Sequence, residues 1–116
     1  MEFKIDNHQE EYLNSINFME NRVNEIIKGL SNDLIWFVNY PSIYTFGPQT
    51  IESDLKIKDL FPVYETSRGG KLTYHGPGQR TVYLMIDLNK RTKDIKKFVR
   101  KIELVILKTL SFYNIE

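Results

Sequence analysis

The chain has 116 residues, with 16 lysines and arginines against 15 aspartates and glutamates, a formal net charge of +1. So balanced a charge gives no general attraction to nucleic acid or to an anionic membrane surface, and the ordinary apolar and charged fractions exclude a disordered chain. The sequence has no cysteine, which removes disulfides, thiolate metal sites and any cysteine nucleophile.

From the N-terminus, Met1-Glu2-Phe3-Lys4-Ile5-Asp6 is unlike a signal peptide, and no apolar run is long enough to span a bilayer. The expectation is a cytoplasmic protein of one domain. Asp6 followed by Gln9 resembles a capping box. Behind it Tyr12, Ile16, Met19, Val23, Ile26, Ile27 and Leu30 recur at helical spacing and predict an amphipathic helix ending near Gly29. Leu34-Ile35-Trp36-Phe37-Val38 predicts a buried strand closed by Pro41, and Ile43-Tyr44-Thr45-Phe46 a brief strand or turn. Residues 49–60 are polar and read as a loop with a helical turn. Pro62–Thr66 alternates and predicts a strand running into a glycine-rich loop. Thr81–Ile86, nearly continuous in its hydrophobicity, predicts another strand. A second helix follows, with Ile95, Phe98, Ile102, Val105, Ile106, Leu110 and Tyr113 on one stripe. This order implies an α+β fold, a mixed sheet with packed helices.

The glycine-rich segment is the most informative part of the chain. Residues 68–79 read Arg-Gly-Gly-Lys-Leu-Thr-Tyr-His-Gly-Pro-Gly-Gln and hold four of the six glycines. Arg68 supplies a fixed cation, Tyr74 a ring with a hydroxyl, and His75 a group that titrates near neutral pH. Glycine permits positive φ and close approach of another group, so the segment suits a loop that wraps a ligand. It is not a P-loop, because Gly70-Lys71 is followed by Leu72 and Glu65 stands where the first glycine belongs. Nor is it a dinucleotide fingerprint, since the third glycine is missing. Both motifs also open helices, whereas this segment leads into a strand. The two histidines, His8 and His75, lie far apart and are read as having no spaced carboxylates around them, so no metal site is expected.

Arg68–Gln79 closely resembles the central motif of the bacterial lipoyl(octanoyl) transferases. The flanking Phe61–Thr66 and Val82–Leu88, and the upstream Tyr44-Thr45-Phe46-Gly47, sit as they do in that family. Lipoate and biotin ligases carry a different motif, with His-Asp where this chain has His75-Gly76. The resemblance implies a biotin/lipoate protein ligase-like fold and a cofactor-free acyl transfer. The octanoyl group would pass from octanoyl-acyl carrier protein to an enzyme cysteine, and then to a lysine of a lipoyl carrier domain. By position, Arg68, Gly69, Gly70, Lys71, Leu72, Thr73, Tyr74 and His75 match the acyl-substrate-binding stretch. Gly69 and Gly70 would let the backbone lie against the acyl chain, with Tyr74 and His75 shaping the pocket near the thioester.

Two departures qualify what the resemblance implies. The family places its catalytic cysteine and activating lysine in a C-terminal half, so no catalytic residue is assigned within these 116 residues. Asn39-Tyr40-Pro41 also stands where the family usually has Glu-His. Residues 1–116 are therefore expected to be the N-terminal part of a single octanoyltransferase-like catalytic domain, incomplete at the C-terminus and inactive alone. An unpaired sheet edge and uncovered apolar surface should follow. The alternatives are a non-enzymatic fragment that binds carrier domains, a gene remnant, or an ATP-using lipoate or biotin ligase relative. The basic run Lys90, Arg91, Lys93, Lys96, Lys97, Arg100 and Lys101 reads as a solvated helix face, with attraction of an acidic acyl carrier protein as the other reading.

Overall fold

The structure, a computed structural model, describes residues 1–48, 60–66, 71–91 and 93–116. Its contacts divide the chain into Met1–Ile86 and Asp87–Glu116.

The first of these begins with a strand, β1 (Glu2–Gln9), where the sequence reading had placed a helix cap. The correction has a clear cause: Phe3 and Ile5 alternate with Glu2, Lys4 and Asp6, a period of two that fits a pleated strand. Helix α1 (Tyr12–Ile27) is capped instead by Glu11, whose carboxylate accepts the N–H groups of Leu13 and Asn14 at 3.2 and 3.0 Å. The helix ends in a Schellman turn. Gly29 N–H donates to Ile26 O and Leu30 N–H to Glu25 O, at 3.0 and 2.8 Å, and Gly29 takes φ +74°. This turn carries Leu30 out of the helix, and Leu30 and Ile27 are exposed.

Strand β2 (Leu34–Asn39) pairs in parallel with β1, so β1, α1 and β2 form a βαβ unit. Strand β3 (Ile43–Phe46) follows Pro41. Then come β4 (Val63–Glu65), β5 (Thr73–His75) and β6 (Arg80–Met85). Among the described residues these strands make two mixed sheets rather than one, ordered β1-β2-β6 and β4-β3-β5. β6 runs antiparallel to β2, β4 parallel to β3, and β5 antiparallel to β3. Strand β5 lies inside the segment expected to be loop. The expected loop over residues 49–59 lies outside the described residues.

The core lies between α1 and one face of the larger sheet. Leu34, Trp36 and Val38 alternate inward along β2, joined by Met85, Tyr12, Ile26, Tyr40 and Ile43. Trp36 meets Phe18 and Tyr83, with ring centroids 4.6 and 6.2 Å away, and its indole N–H donates to the buried Asp6 carboxylate at 2.9 Å. That bond satisfies a donor which would otherwise cost about 1–3 kcal/mol to bury. The whole architecture is α+β.

In residues 87–116 a short 3-10 turn, Leu88–Lys90, precedes α2 (Ile95–Phe112), which is N-capped by the Asp94 carboxylate. Of the apolar stripe on α2, Phe98 and Ile102 are half-buried and the rest exposed. Its end repeats the turn of α1, with Asn114 at φ +59° in place of glycine. The basic run from Lys90 to Lys101 is exposed throughout its described members. No helix among the described residues is long and apolar enough to cross a membrane.

Candidate active site around His75

Two segments far apart in sequence meet as neighbouring strands. β5 pairs with β3 in the register Ile43–His75, Tyr44–Tyr74 and Thr45–Thr73. Residues directly opposite share a face, and successive residues alternate. Tyr74 and His75 therefore point to opposite faces of the small sheet.

His75 points inward and is buried. Its Nε2 lies 3.4 Å from the Thr45 hydroxyl, and its Nδ1 lies 3.4 Å from the Thr81 hydroxyl on β6. The Tyr40 ring stands nearly edge-on to the imidazole, with centroids 5.7 Å apart. Tyr40 is itself buried. Its hydroxyl shares hydrogen bonds with Ser15 at 2.6 Å and Tyr83 at 3.0 Å, and burial pushes its acid dissociation above the usual tyrosine value. At the departure from the family pattern, then, Tyr40 contributes to a hydroxyl cluster of Ser15, Tyr40 and Tyr83 beside His75. Asn39 serves the fold: its amide donates to the Asp6 carbonyl at 3.3 Å.

Tyr74 points outward and is 40% exposed. Its ring lies 5.8 Å from Tyr44 and 6.0 Å from Phe61, and its hydroxyl shares a 3.0 Å hydrogen bond with Ser42. The Tyr74 side chain folds over Gly76 so closely that a Cβ there would overlap its hydroxyl. Pro77 and Gly78 then turn the chain into β6. Gln79 N–H donates to Gly76 O at 3.0 Å and Gly78 takes φ +85°, the signature of a type II turn. Glycine at positions 76 and 78 thus has a local reason in the turn that links the two sheets. Of the other predicted site residues, Lys71 and Thr73 are exposed and Leu72 is half-buried. Arg68, Gly69 and Gly70 lie outside the described residues.

Along α1 runs an open groove of about 490 Å³, lined by Tyr12, Ile16, Met19, Glu20, Val23 and Asn24 together with Thr66 and Tyr83. Its lining is mainly apolar, with Glu20 and Asn24 supplying polar atoms. Tyr83 belongs to both the groove and the hydroxyl cluster. Of the cluster, Tyr83 alone lines the groove, so its hydroxyl links a group bound there to the buried Tyr40 and Ser15.

One arrangement was missed in the sequence. The pleat of β1 brings Asp6 and His8 onto one side with Glu10 beyond the strand, their ligand atoms within 4.8 Å of one another. His8 does have spaced carboxylates around it, and the Asp-x-His-x-Glu alternation shows once residues 2–9 are seen as a strand. These groups are engaged with protein partners. His8 Nε2 and Glu10 meet at 2.7 Å, Trp36 donates to Asp6 Oδ2, and Lys4 lies 3.9 Å from Asp6 Oδ1. Thr45, Thr81 and Ser15 were missed as well; the available signal was a polar residue at an inward position among apolar neighbours.

Residues 11–116 match the Lipoyl protein ligase A/B catalytic domain, and the chain belongs to that family. Among individual relatives, it is 41% identical to an octanoyltransferase of Bartonella tribocorum over all 116 of its residues, 47% of that protein. It is 44% identical to the octanoyltransferase of Wolbachia pipientis over 98% of its length and 56% of the relative's. The octanoyltransferase of Jannaschia shares 47% identity over 84% of the chain and 45% of its own length. The chain spans about half the length of these relatives, the N-terminal half.

Proposed function

We propose that this chain provides the acyl-substrate-binding half of an octanoyltransferase. The whole enzyme moves an octanoyl group from acyl carrier protein to a lysine of a lipoyl carrier domain. The observation that carries this reading is the similarity to octanoyltransferases over the full length of the chain. Arg68–His75 form the acyl-binding stretch, in a cytoplasmic reaction that needs no cofactor.

Within that stretch the described residues take separate roles. His75, held between Thr45 and Thr81, faces the thioester and orients it. Tyr74, with Tyr44 and Phe61, forms an outward aromatic surface that rests against the acyl donor. With no cysteine in the chain, the acyl-enzyme cannot form on it. The thiolate and the lysine that lowers its pKa belong to the other half of the domain. Alone, the chain binds donor and turns none over.

The test is binding of octanoyl-acyl carrier protein by the 116-residue chain, followed by calorimetry, beside carrier protein without an acyl group. The reading expects preference for the acylated form, independence from ATP, and at least tenfold weaker binding for His75→Ala. Equal binding of both forms, or none of either, sinks it.

A further inference from the structure

Strand β1 loses step with its neighbour at one point, and three side chains able to ligate a metal gather there. From Ile5 to Gln9 β1 advances four residues, while β2 advances two, from Phe37 to Asn39. Such a bulge takes residues out of the ladder and re-aims their side chains. Asp6 and His8 lie in it, and Glu10 follows, directly before the Glu11 cap of α1. An oxygen of Asp6, a ring nitrogen of His8 and an oxygen of Glu10 lie within 4.8 Å of one another. All three residues precede residues 11–116, so the match to the catalytic domain does not account for them.

We infer that Asp6, His8 and Glu10 form a zinc site. The partners that now engage them leave a donor atom on each. The Trp36 indole N–H donates to Asp6 Oδ2 at 2.9 Å, which fixes the buried carboxylate and leaves Oδ1 with Lys4, 3.9 Å away. A partner that orients a ligating carboxylate in this way is the usual outer layer of a metal site. Asn39 and Arg80 donate to the Asp6 carbonyl, not to its side chain. His8 Nε2 meets Glu10 Oε1 at 2.7 Å, and the ion takes the place of the hydrogen between them. The neutral imidazole then carries its one proton on Nδ1.

Two carboxylates and an imidazole suit zinc, whereas magnesium and calcium take oxygen ligands. Zinc holds such ligands at about 2.0–2.2 Å, so their donor atoms stand roughly 3–4 Å apart. Turns of the exposed His8 and half-buried Glu10 side chains close the remaining gap. Three protein ligands leave the fourth position to water. The ion would tie the end of β1 to the start of α1. None of the three residues serves the acyl-transfer reading, and the inference stands apart from it.

The experiment titrates the untagged 116-residue chain with Zn²⁺ by calorimetry, beside Mg²⁺ and Ca²⁺ at the same concentrations. One zinc per chain is expected, with the other two ions bound at least tenfold more weakly. His8→Ala and Glu10→Gln, both outside the core, should each weaken zinc by about tenfold or more. Asp6→Asn keeps an oxygen for the Trp36 indole and loses the charge, so it should weaken zinc similarly in a folded chain. Lys4→Gln removes a cation beside the ion and should tighten binding about threefold, a gain that a merely structural cluster would not give. Trp36 emission should change in step with the heat, because Asp6 touches both the indole and the ion. Circular dichroism of each variant separates lost binding from lost folding. Absence of zinc binding overturns the inference, and so does magnesium held as tightly as zinc. Zinc held equally by the parent, His8→Ala and Glu10→Gln is an adventitious ion only and overturns it as well.

Discussion

The two three-stranded sheets share a mixed topology and divide the work between them. The larger one, β1-β2-β6, is bound to α1 by an apolar core with Trp36 at its centre. The smaller, β4-β3-β5, is short, carries a buried histidine among hydroxyls, and shows an aromatic surface outward. Burial of apolar area sets stability, so substitutions in the first should mainly cost folding energy. Those in the second should mainly change what the protein binds. The difference teaches that the motif is presented by a small sheet whose own core is slight, and that the larger sheet holds it in place through the turn at Pro77-Gly78.

The largest expected effect is in the larger sheet. Trp36→Ala removes the largest fully buried side chain among the described residues and should cost about 3–5 kcal/mol in denaturant unfolding; a loss under 1 kcal/mol would show that the sheet is not the stabilising element. Asp6→Leu leaves the buried indole N–H of Trp36 without its acceptor and should cost about 1–3 kcal/mol. His75→Ala should act the other way round. Its stability loss of about 1–2 kcal/mol would accompany the tenfold loss of donor binding expected above. If stability falls as far as in Trp36→Ala with binding unchanged in the folded fraction, the contrast between the sheets fails.

Smaller effects sharpen the picture. Gly29→Ala puts a side chain at φ +74°, with open space around it, so the expected cost of about 1 kcal/mol comes from backbone strain alone. Gly29→Asn should recover part of it, since Asn114 already serves the equivalent turn of α2. Tyr40 adds a pH dependence. Its folded-state value is raised by burial, so its stabilisation is complete below the ordinary tyrosine value near 10 and is lost as pH climbs through the raised one. Tyr40→Phe should remove that alkaline decline. Glu2 acts in the opposite direction and more weakly. Its hydrogen bond and charge attraction to Arg22 hold its carboxyl below the usual range, so its contribution is present near neutrality and fades as the solution is acidified. A Glu2→Gln variant whose acid limb matches the parent's would remove that ion pair from the account.

Long periodic segments were legible in the sequence. The core of α1 and the strands at Leu34, Ile43, Pro62 and Thr81 stand close to where apolar spacing put them, and α2 does as well. The eight-residue β1 was not, because Asp6 and Gln9 imitate a capping box and only Phe3 and Ile5 mark the alternation. That one reading also hid the juxtaposition of Asp6, His8 and Glu10. The three-residue strand β5 was missed because turn residues surround it, and a strand so short is decided by its partner β3 and not by its own propensity. Of the candidate site, the motif itself was evident. The inward and outward separation of His75 and Tyr74 was not, nor was the Thr45–His75–Thr81 contact, because both depend on pairing between distant residues.

Trp36 is the only tryptophan in the chain and sits within the larger sheet, against Phe18, Tyr83 and Asp6. Its emission under selective excitation is therefore an optical gauge of one sheet alone. Six of the seven tyrosines lie in or beside the first 86 residues, and two of them, Tyr44 and Tyr74, face each other on the smaller sheet. Should the part of the tyrosine signal that Tyr44→Phe and Tyr74→Phe remove change at lower denaturant concentration than the tryptophan signal, the smaller sheet opens first, and β5 can loosen while the larger sheet stays folded.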